Sequence, residues 1–224
     1  MLKEFLQVWR KKDLSREALD EALTMLRHDQ EMFLESQRTL REGDGPDFQI
    51  DIYKQDKLVN KAEREVRRKV LQHLIISDKC DINAGLTLAS VVIDIERIGD
   101  YTKNIADLVQ LRGKKLSAGE FEEDVTGIEN QIKEFFKDTI EAFPTSEAEI
   151  ARKVVNAYKP LSATTAKLNE LLVKGQSSLN AADAVALSLY IRFLKRVAAH
   201  LYNVCTSIVN PFPRIGYKEK KTGI

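Results

Sequence analysis

Glycine and proline are scarce in this sequence, with 10 and 5 residues respectively among 224. Average usage is roughly 7% for glycine and 5% for proline. An all-β protein joins many short strands through tight turns, and those turns require both residue types. The shortage therefore favours long helices with few interruptions, in a chain long enough to bury a core without disulfides.

Cysteine and net charge are low as well. Cys80 and Cys205 are too few and too far apart for a disulfide framework or a cysteine metal motif. Both are expected to be buried thiols in a reducing cytoplasm. The formal net charge is +1, from 35 basic and 34 acidic residues. This balance lacks the basic field on which nucleic-acid binding depends, so we expect no nucleic acid among the partners.

Long apolar runs are also missing. A helix that spans a bilayer needs about 20 consecutive apolar residues, and the strictly apolar runs here are only a few residues long. The beginning of the chain, Met1–Asp13, carries too many charges for a signal peptide. The sequence thus predicts a cytoplasmic protein without membrane insertion.

Six segments place apolar residues three or four positions apart, which is the period of an amphipathic helix. Breaks rich in glycine, proline or polar residues separate them, and Gly43–Pro46 is typical of a turn. A capping box over Ser146–Glu149 is expected to start the fifth helix. The predicted helices are Ser15–Glu42, Asp47–Ile76, Asp81–Arg112, Phe121–Phe143, Ser146–Lys174 and Asn180–Val209.

A soft break near Gly113 divides the six helices into two sets of three. The third and sixth helices align at an offset of 99 residues, which places Arg97 on Arg196 and Asn104 on Asn203. Helices joined by short connections pack antiparallel. We therefore predict an all-α fold of two antiparallel three-helix bundles side by side, built from a duplicated unit over residues 1–113 and 114–224.

The second helix carries acidic residues on an otherwise apolar seam. Asp56 and Glu63 share this seam with residues such as Val59, and Asn60 follows Asp56 by one turn. A carboxylate on an apolar seam is costly unless it is paired with a cation or bound to a metal ion. This face is therefore a candidate site.

The third helix changes from apolar to polar along one side. Steps of three and four residues place on that side Ile82, Leu86, Ala89, Ile93, Glu96, Asp100, Asn104, Asp107 and Leu111. Glu96 and Asp100 are one turn apart, about 6 Å between their Cβ atoms, so that one multivalent cation can meet both. Spacing alone leaves three interpretations open: metal binding, salt bridges to Arg64, Arg67 and Arg97, or plain surface display.

The run from Asp94 to Asp107, DIERIGDYTKNIAD, resembles the signature of the PhoU family of phosphate-signalling regulators. Asp56, Asn60 and Glu63 resemble the motif of the preceding helix in that family, D-x-x-V-D/N-x-x-E, with the amide variant at Asn60. The six-helix, two-repeat plan is also similar to the family plan. The resemblance therefore covers nearly the whole chain.

The resemblance to the PhoU family implies paired three-helix bundles and multinuclear iron or zinc clusters held by E/D-x-x-x-D motifs. The metal-binding roles carry over to Asp56, Asn60, Glu63, Glu96 and Asp100. The resemblance also implies a non-catalytic, negative regulator or adaptor in phosphate homeostasis. Its implied partners are a membrane phosphate transporter of the ABC class and a membrane sensor kinase.

The second repeat departs from the family motif. Lys195 and Ala199 replace the two acids at its signature positions, and no acid lies between Glu149 and Glu170. A cation site needs oxygen ligands, preferably anionic, so we expect metal binding in the first repeat only. The equivalent face of the second repeat, neutral to basic, is free to contact a partner or to pack in a homodimer.

Two other functions stay open. One is a metal-free helical adaptor. The other is a carboxylate-bridged metalloenzyme of the di-iron class, which usually supplies Glu-x-x-His pairs, and the sequence contains no such pair. The tail over residues 210–224 lies outside the family signature, and the sequence offers no physical account of it.

Overall fold

The computed structural model describes residues 13–76 and 82–219, and every regular element in these ranges is helical. The prediction of an all-α fold with six long helices is therefore confirmed. The helices are α1 (Asp13–Glu42), α2 (Ile52–Ile76), α3 (Ile82–Arg112), α4 (Glu122–Thr145), α5 (Ala148–Val173) and α6 (Ala181–Val209). Single 3₁₀ turns at Gly119–Phe121 and Phe212–Arg214 precede α4 and follow α6. Cys205 is a buried free thiol, whereas Cys80 lies outside the described residues.

Helix α1 illustrates why these segments are helical and why they pack together. Its most deeply buried apolar residues are Ala18, Ala22, Met25, Leu26, Met32, Phe33 and Leu40. Together with the buried Asp29 and Ser36 they form one stripe at steps of three and four. Most helical stability in proteins comes from burying such a stripe rather than from intrinsic propensity. Each long helix therefore depends on its neighbours.

The helices of each repeat pack on one another as a bundle, α1 to α3 in the first and α4 to α6 in the second. Near one end of the first bundle, Lys69 of α2 pairs with Glu21 of α1 at 2.8 Å. In the second bundle, Ser188 of α6 donates a hydrogen bond to Asn169 of α5 at 2.9 Å. Both contacts join antiparallel neighbours, as the short connections require.

The two bundles meet mainly through α3 and α6. The rings of Tyr101 and His200 stack with centroids 5.7 Å apart. On either side of this stack, Asp94 Oδ1 lies 2.7 Å from His200 Nδ1, and the Phe193 ring lies 6.5 Å from that of Tyr101. The offset of 99 residues converts Tyr101 into His200 and Asp94 into Phe193. An approximate twofold axis therefore relates the Asp94–His200 contact to the Phe193–Tyr101 contact. The two copies of the duplicated unit pack against each other through equivalent surfaces.

A second, smaller contact between the bundles joins α1 and α4. Phe33 and Phe136 pack there with ring centroids 5.3 Å apart. Buried apolar residues of both repeats consequently form one continuous core. Within the described ranges, no helix has the length and apolar character that crossing a membrane would require.

The connection between α4 and α5 differs from the predicted capping box. Helix α4 continues through Pro144, and Ser146 closes it in a left-handed conformation with a φ of 53°. The Ser146 backbone N–H donates to Ala142 O of that helix. The capping-box prediction was wrong because Ser146 ends the preceding helix, which leaves Glu147 as the residue before α5.

The apolar side of α3 that the sequence singled out is largely exposed. Ile82, Leu86, Ile93 and Leu111 have exposed fractions between 40% and 84%. Residues on the other faces, including Val91, Val92, Ile95, Ile98 and Ile105, are completely buried. Most of the circumference of α3 is covered, because this helix packs against α1, α2 and α6. The side that carries the acids is a continuation of the exposed apolar side and does not belong to the core.

The described part of the C-terminal tail, which the sequence left unexplained, folds back along α6. The Asn210 side chain donates to Tyr217 O at 2.6 Å. The Gly216 N–H donates to Thr206 Oγ1 at 2.7 Å. Arg152 at the start of α5 then pairs with Glu219 at 2.8 Å. The tail through Glu219 thus fastens the C-terminal end of α6 to the start of α5.

Candidate functional site

The predicted acidic residues lie on the facing sides of α2 and α3. Asp56 is buried, with 8% of its surface exposed, whereas Glu63, Glu96 and Asp100 are half-buried. Asn60 is also half-buried and donates through Nδ2 to Asp56 Oδ2 at 3.2 Å. We call Asp56, Glu63, Glu96 and Asp100 the first-repeat acidic cluster.

Lys103 of α3 stands inside this cluster. Its Nζ lies 2.9 Å from Asp56 Oδ1 and 3.2 Å from Asp100 Oδ1. Burial works against its charged form, but the hydrogen bonds to Asp56 and Asp100 outweigh it and raise the pKa of Lys103. The ammonium therefore stays charged and joins α2 to α3. Sequence reasoning did not assign Lys103 a role, although it lies one turn after Asp100, where a contact along a helix is expected.

Arginine side chains pair with the outer acids of the cluster. Arg97 Nη1 lies 2.9 Å from Asp100 Oδ2, and its Nε lies 3.5 Å from Glu96 Oε2. Arg67 Nη1 lies 2.9 Å from Glu63 Oε1. Both arginines are more than half exposed, so these pairs contribute little to stability. Of the salt bridges that the sequence left open, those of Arg67 and Arg97 are thus present in this structure.

A further carboxylate, Asp29 of α1, lies beneath the cluster and was missed by the sequence reasoning. Asp29 is 0% exposed, and within the described residues neither of its carboxylate oxygens has a hydrogen-bond partner. Its signal was present, because it interrupts the buried seam between Met25 and Met32 as Asp56 interrupts that of α2. Asp29 thus contributes an acid from a third helix.

Burial and mutual repulsion raise the pKa of two acids in this region, Asp29 and Glu96. The pKa of Asp29 is raised well above its usual value, first by burial and then by the charges of Glu96, Asp56 and Asp100. Burial likewise raises the pKa of Glu96, followed by the charge of Asp100. Burial is the larger cause for both groups, and the neighbouring acids add a smaller repulsion that a nearby positive charge would relieve.

The donor set suits a hard or borderline cation, because carboxylate and amide oxygens are ligands for such ions. Across residues 13–76 and 82–219, however, no three histidine, cysteine or acidic side chains stand ready as a metal-binding group. The position between Asp56 and Asp100 is taken by Lys103. The chemistry of the donors therefore suits a cation, but the placement of the described acids in this structure does not form a site for one.

The corresponding face of the second repeat has different chemistry. The rings of Tyr158 on α5 and Tyr202 on α6 stack with centroids 4.5 Å apart. At the offset of 99 residues Tyr202 corresponds to Lys103, so an aromatic stack replaces the ion pair. The Arg196 guanidinium lies over the Tyr101 ring, 5.2 Å from its centroid. Lys195 is half-buried, and the face has no carboxylate comparable to Asp56.

Fold and site together define a class: a tandem-repeat helical-bundle protein with an acidic surface in one repeat and a neutral to basic surface in the other. The chain belongs to the PhoU domain family, whose model matches residues 22–109 and 125–208. Each match falls within one of the two bundles. The resemblance proposed from the sequence is therefore confirmed over both repeats.

Individual relatives agree with this assignment. The chain is 23% identical over 164 residues to a phosphate-specific transport system accessory protein PhoU homolog of Clostridium acetobutylicum, covering 70% of this chain and 74% of the relative. The fold matches the crystal structure of PhoU from Pseudomonas aeruginosa with a TM-score of 0.79 at 17% identity, over 88% of this chain and 96% of that one. A phosphate transport system regulatory protein PhoU from Streptococcus pneumoniae matches at 0.69 and 19% identity, over 88% and 92%.

Proposed function

We propose that this protein regulates phosphate transport as a non-catalytic adaptor of a membrane phosphate transporter or of its sensor kinase, acting in the cytoplasm. The observation that carries the proposal is the match of both repeats to the PhoU domain. The relative from Clostridium acetobutylicum, described as an accessory protein of a phosphate-specific transport system, supports it.

The proposal includes a metal ion, iron or zinc, on the first-repeat acidic cluster. Asp56, Asn60, Glu63, Glu96 and Asp100 would hold it. A bound metal ion would supply concentrated positive charge that joins the carboxylates of α2 and α3 more strongly than one ammonium. The carboxylate and amide oxygens on the facing sides of α2 and α3 are donors of the right kind, which supports this part of the proposal.

The position of Lys103 favours a second candidate, the metal-free adaptor. Its ammonium already links Asp56 to Asp100 and supplies the positive charge that a metal ion would bring. In that case the acidic cluster is a structural ion-pair network, and regulation depends on surfaces elsewhere. The exposed Arg196, with the neighbouring Lys195, offers such a surface for a partner or for a homodimer.

Phosphate uptake by cells tests the regulatory role. Cells lacking the gene and cells complemented with the wild-type gene would be compared for uptake of radiolabelled phosphate in phosphate-rich and phosphate-poor media. We expect the deletion to abolish the normal difference between the two media and the wild-type gene to restore it. Identical uptake in deleted and complemented cells would contradict the proposed function.

Titration of the purified protein with Zn²⁺ and, without oxygen, with Fe²⁺ separates the two candidates. The metal-binding adaptor requires saturable binding to the wild-type protein, with a rise in Tm on saturation because the ion binds the folded state. The metal-free adaptor requires neither effect while phosphate regulation persists. The two measurements together therefore decide between the candidates.

A further inference from the structure

The small net charge of the chain conceals a strong segregation of charge along it. Residues 150–218, which cover nearly all of α5, all of α6 and most of the described tail, contain 10 lysine and arginine residues and only two acids. In the corresponding stretch of the first repeat, residues 51–119, 13 basic residues stand beside 10 acids. The second repeat therefore has a net charge of +8 over this stretch because it lacks acids, and the rest of the chain has a net charge of −7.

The packing of α5 on α6 brings five of these cations together. Tyr158 stacks on Tyr202 with ring centroids 4.5 Å apart, and Asn169 accepts the hydrogen bond of Ser188 at 2.9 Å. The helical segments between these two contacts are ~20 Å long, at about 1.5 Å per residue. They contain no acid and carry the residues that we call the second-repeat basic face: Lys159, Lys167, Arg192, Lys195 and Arg196.

The charges of this face are not neutralised within the part of the chain that the structure describes. Lys195 is half-buried and the other four cations are exposed. Four of the five form no salt bridge with a described residue, and the fifth, Arg196, lies over the Tyr101 ring at 5.2 Å. In the first-repeat acidic cluster, by contrast, Lys103 lies 2.9 Å from Asp56 Oδ1. Neighbouring like charges repel one another, so the basic face would gain from an anionic surface placed against it.

Apolar side chains emerge beside these cations. Val185 and Leu189 of α6 are 61% and 40% exposed. Together with Arg192 and Arg196 they follow steps of three and four residues, which places all four on one side of the helix. Basic and apolar residues exposed together are typical of surfaces that lie on a membrane, where the cations meet lipid phosphates and the apolar groups enter the interface. An acidic protein segment would account for the cations alone.

We infer that the second-repeat basic face binds the surface of a bilayer that contains anionic phospholipid. Each lysine or arginine held near such a surface strengthens binding by about fivefold, and the attraction is screened within a Debye length. Binding through five cations is therefore reversible and weakens as salt is added. This inference goes beyond the proposed regulatory role and requires neither a metal ion nor a protein partner.

Co-sedimentation with vesicles tests the inference. Purified wild type, Arg192→Gln/Lys195→Gln and Lys57→Gln/Lys61→Gln would each be mixed with vesicles of phosphatidylcholine alone or of equal parts phosphatidylcholine and phosphatidylglycerol. The last variant is the matched control, because it removes the same charge from exposed positions of α2. We expect wild type and control to bind the anionic vesicles alone, and Arg192→Gln/Lys195→Gln to bind them about tenfold or more weakly.

Wild-type protein that sediments no better with anionic than with neutral vesicles would overturn the inference and leave the face to an acidic protein partner. Equal losses in the two double variants would also overturn it, because net charge alone would then govern binding. Should Arg192→Gln/Lys195→Gln fail to fold, Lys159→Gln/Lys167→Gln removes two cations of the same face from α5 and must give the same loss. Phosphate uptake is measured separately, so a failure of vesicle binding leaves the proposed function standing.

Discussion

The ammonium of Lys103 lies 2.9 Å from Asp56 Oδ1, and this ion pair ties α3 to α2 at the centre of the acidic cluster. The same ammonium reaches Asp100 at 3.2 Å. The pair is only partly exposed, with side-chain exposures of 26% and 11%, so it is weakened less by solvent than a surface pair. Any cation that binds these carboxylates competes with a charge that the protein already supplies.

Replacing Lys103 should therefore strengthen metal binding. Lys103→Met keeps most of the aliphatic stem and removes the ammonium, which frees Asp56 and Asp100 and ends the repulsion of an incoming cation. We expect Zn²⁺ affinity to rise about tenfold, equivalent to ~1.4 kcal/mol, and the metal-free protein to lose ~1 kcal/mol of stability. Calorimetric titration and urea unfolding measure the two effects.

Lys195→Met is the matched control for this change, because Lys195 is the half-buried lysine on the corresponding helix of the second repeat. It should leave Zn²⁺ affinity unchanged. An equal gain in both variants would mean that only the net charge of the protein matters. No gain in Lys103→Met would mean that the ammonium does not compete for the site.

Metal content should depend on the first repeat alone. Glu96→Ala/Asp100→Ala removes two carboxylates from the cluster and is expected to abolish most metal uptake while changing stability by no more than ~1 kcal/mol, since both side chains are partly solvated. Lys195→Ala/Arg196→Ala removes two charges from the corresponding helix of the second repeat and should retain wild-type metal content. Elemental analysis after metal loading and dialysis measures this. Equal losses in both double variants would contradict the asymmetric model.

The helices and their grouping were predictable because each depends on local patterns that repeat over many residues. Apolar spacing located all six helices, and the match of Arg97 with Arg196 located the duplication. The duplicated helices meet at Tyr101 and His200. The wrong interpretation of Ser146 has a physical cause: a serine can accept a bond at a helix start or, as here, adopt the left-handed conformation at a helix end. The sequence alone does not show whether Ser146 caps the helix before it or the helix after it.

The candidate site was predictable only on the helices that carry a motif. Asp56 and Glu96 stood out by their spacing, but Asp29 belongs to a helix without a recognised signature and approaches Gly99 of α3 only through tertiary packing. The partners of the acids were equally hidden. Lys103 was visible within the motif, yet its pairing with Asp56 depends on the relative rotation of α2 and α3, which no periodicity specifies.

Cys205 should be chemically inert in the folded protein. Its thiol is completely buried and lies 3.3 Å from Thr139 Oγ1, and burial raises its pKa to about 12. The reactive thiolate is therefore negligible near neutral pH. In a Cys80→Ser background we expect a thiol-specific chromogenic reagent at pH 8 to label no cysteine in the native protein and one after unfolding in urea. Rapid native labelling would show that the α4–α6 core opens readily.

Substitutions at Gly99 should reveal how closely α1 approaches α3. In an exposed helix, Gly→Ala is stabilising by about 1 kcal/mol because alanine has the higher helix propensity. At Gly99 the new Cβ would lie 2.8 Å from Asp29 Oδ1, so the carboxylate must shift. Overpacking of this kind typically costs about 1–3 kcal/mol. We therefore expect Gly99→Ala to be neutral or destabilising by up to ~2 kcal/mol in urea unfolding.

A double-mutant cycle with Asp29→Ala isolates that contact. Once the carboxylate is gone, Gly99→Ala should become stabilising, which corresponds to a coupling energy of about 1–3 kcal/mol between the two positions. Gly127→Ala on the exposed side of α4 is the control, because a Cβ there meets nothing within 4 Å. It should stabilise the protein by about 1 kcal/mol in either background. If Gly99→Ala stabilises the otherwise wild-type protein as much as Gly127→Ala does, the Asp29 carboxylate does not lie against α3.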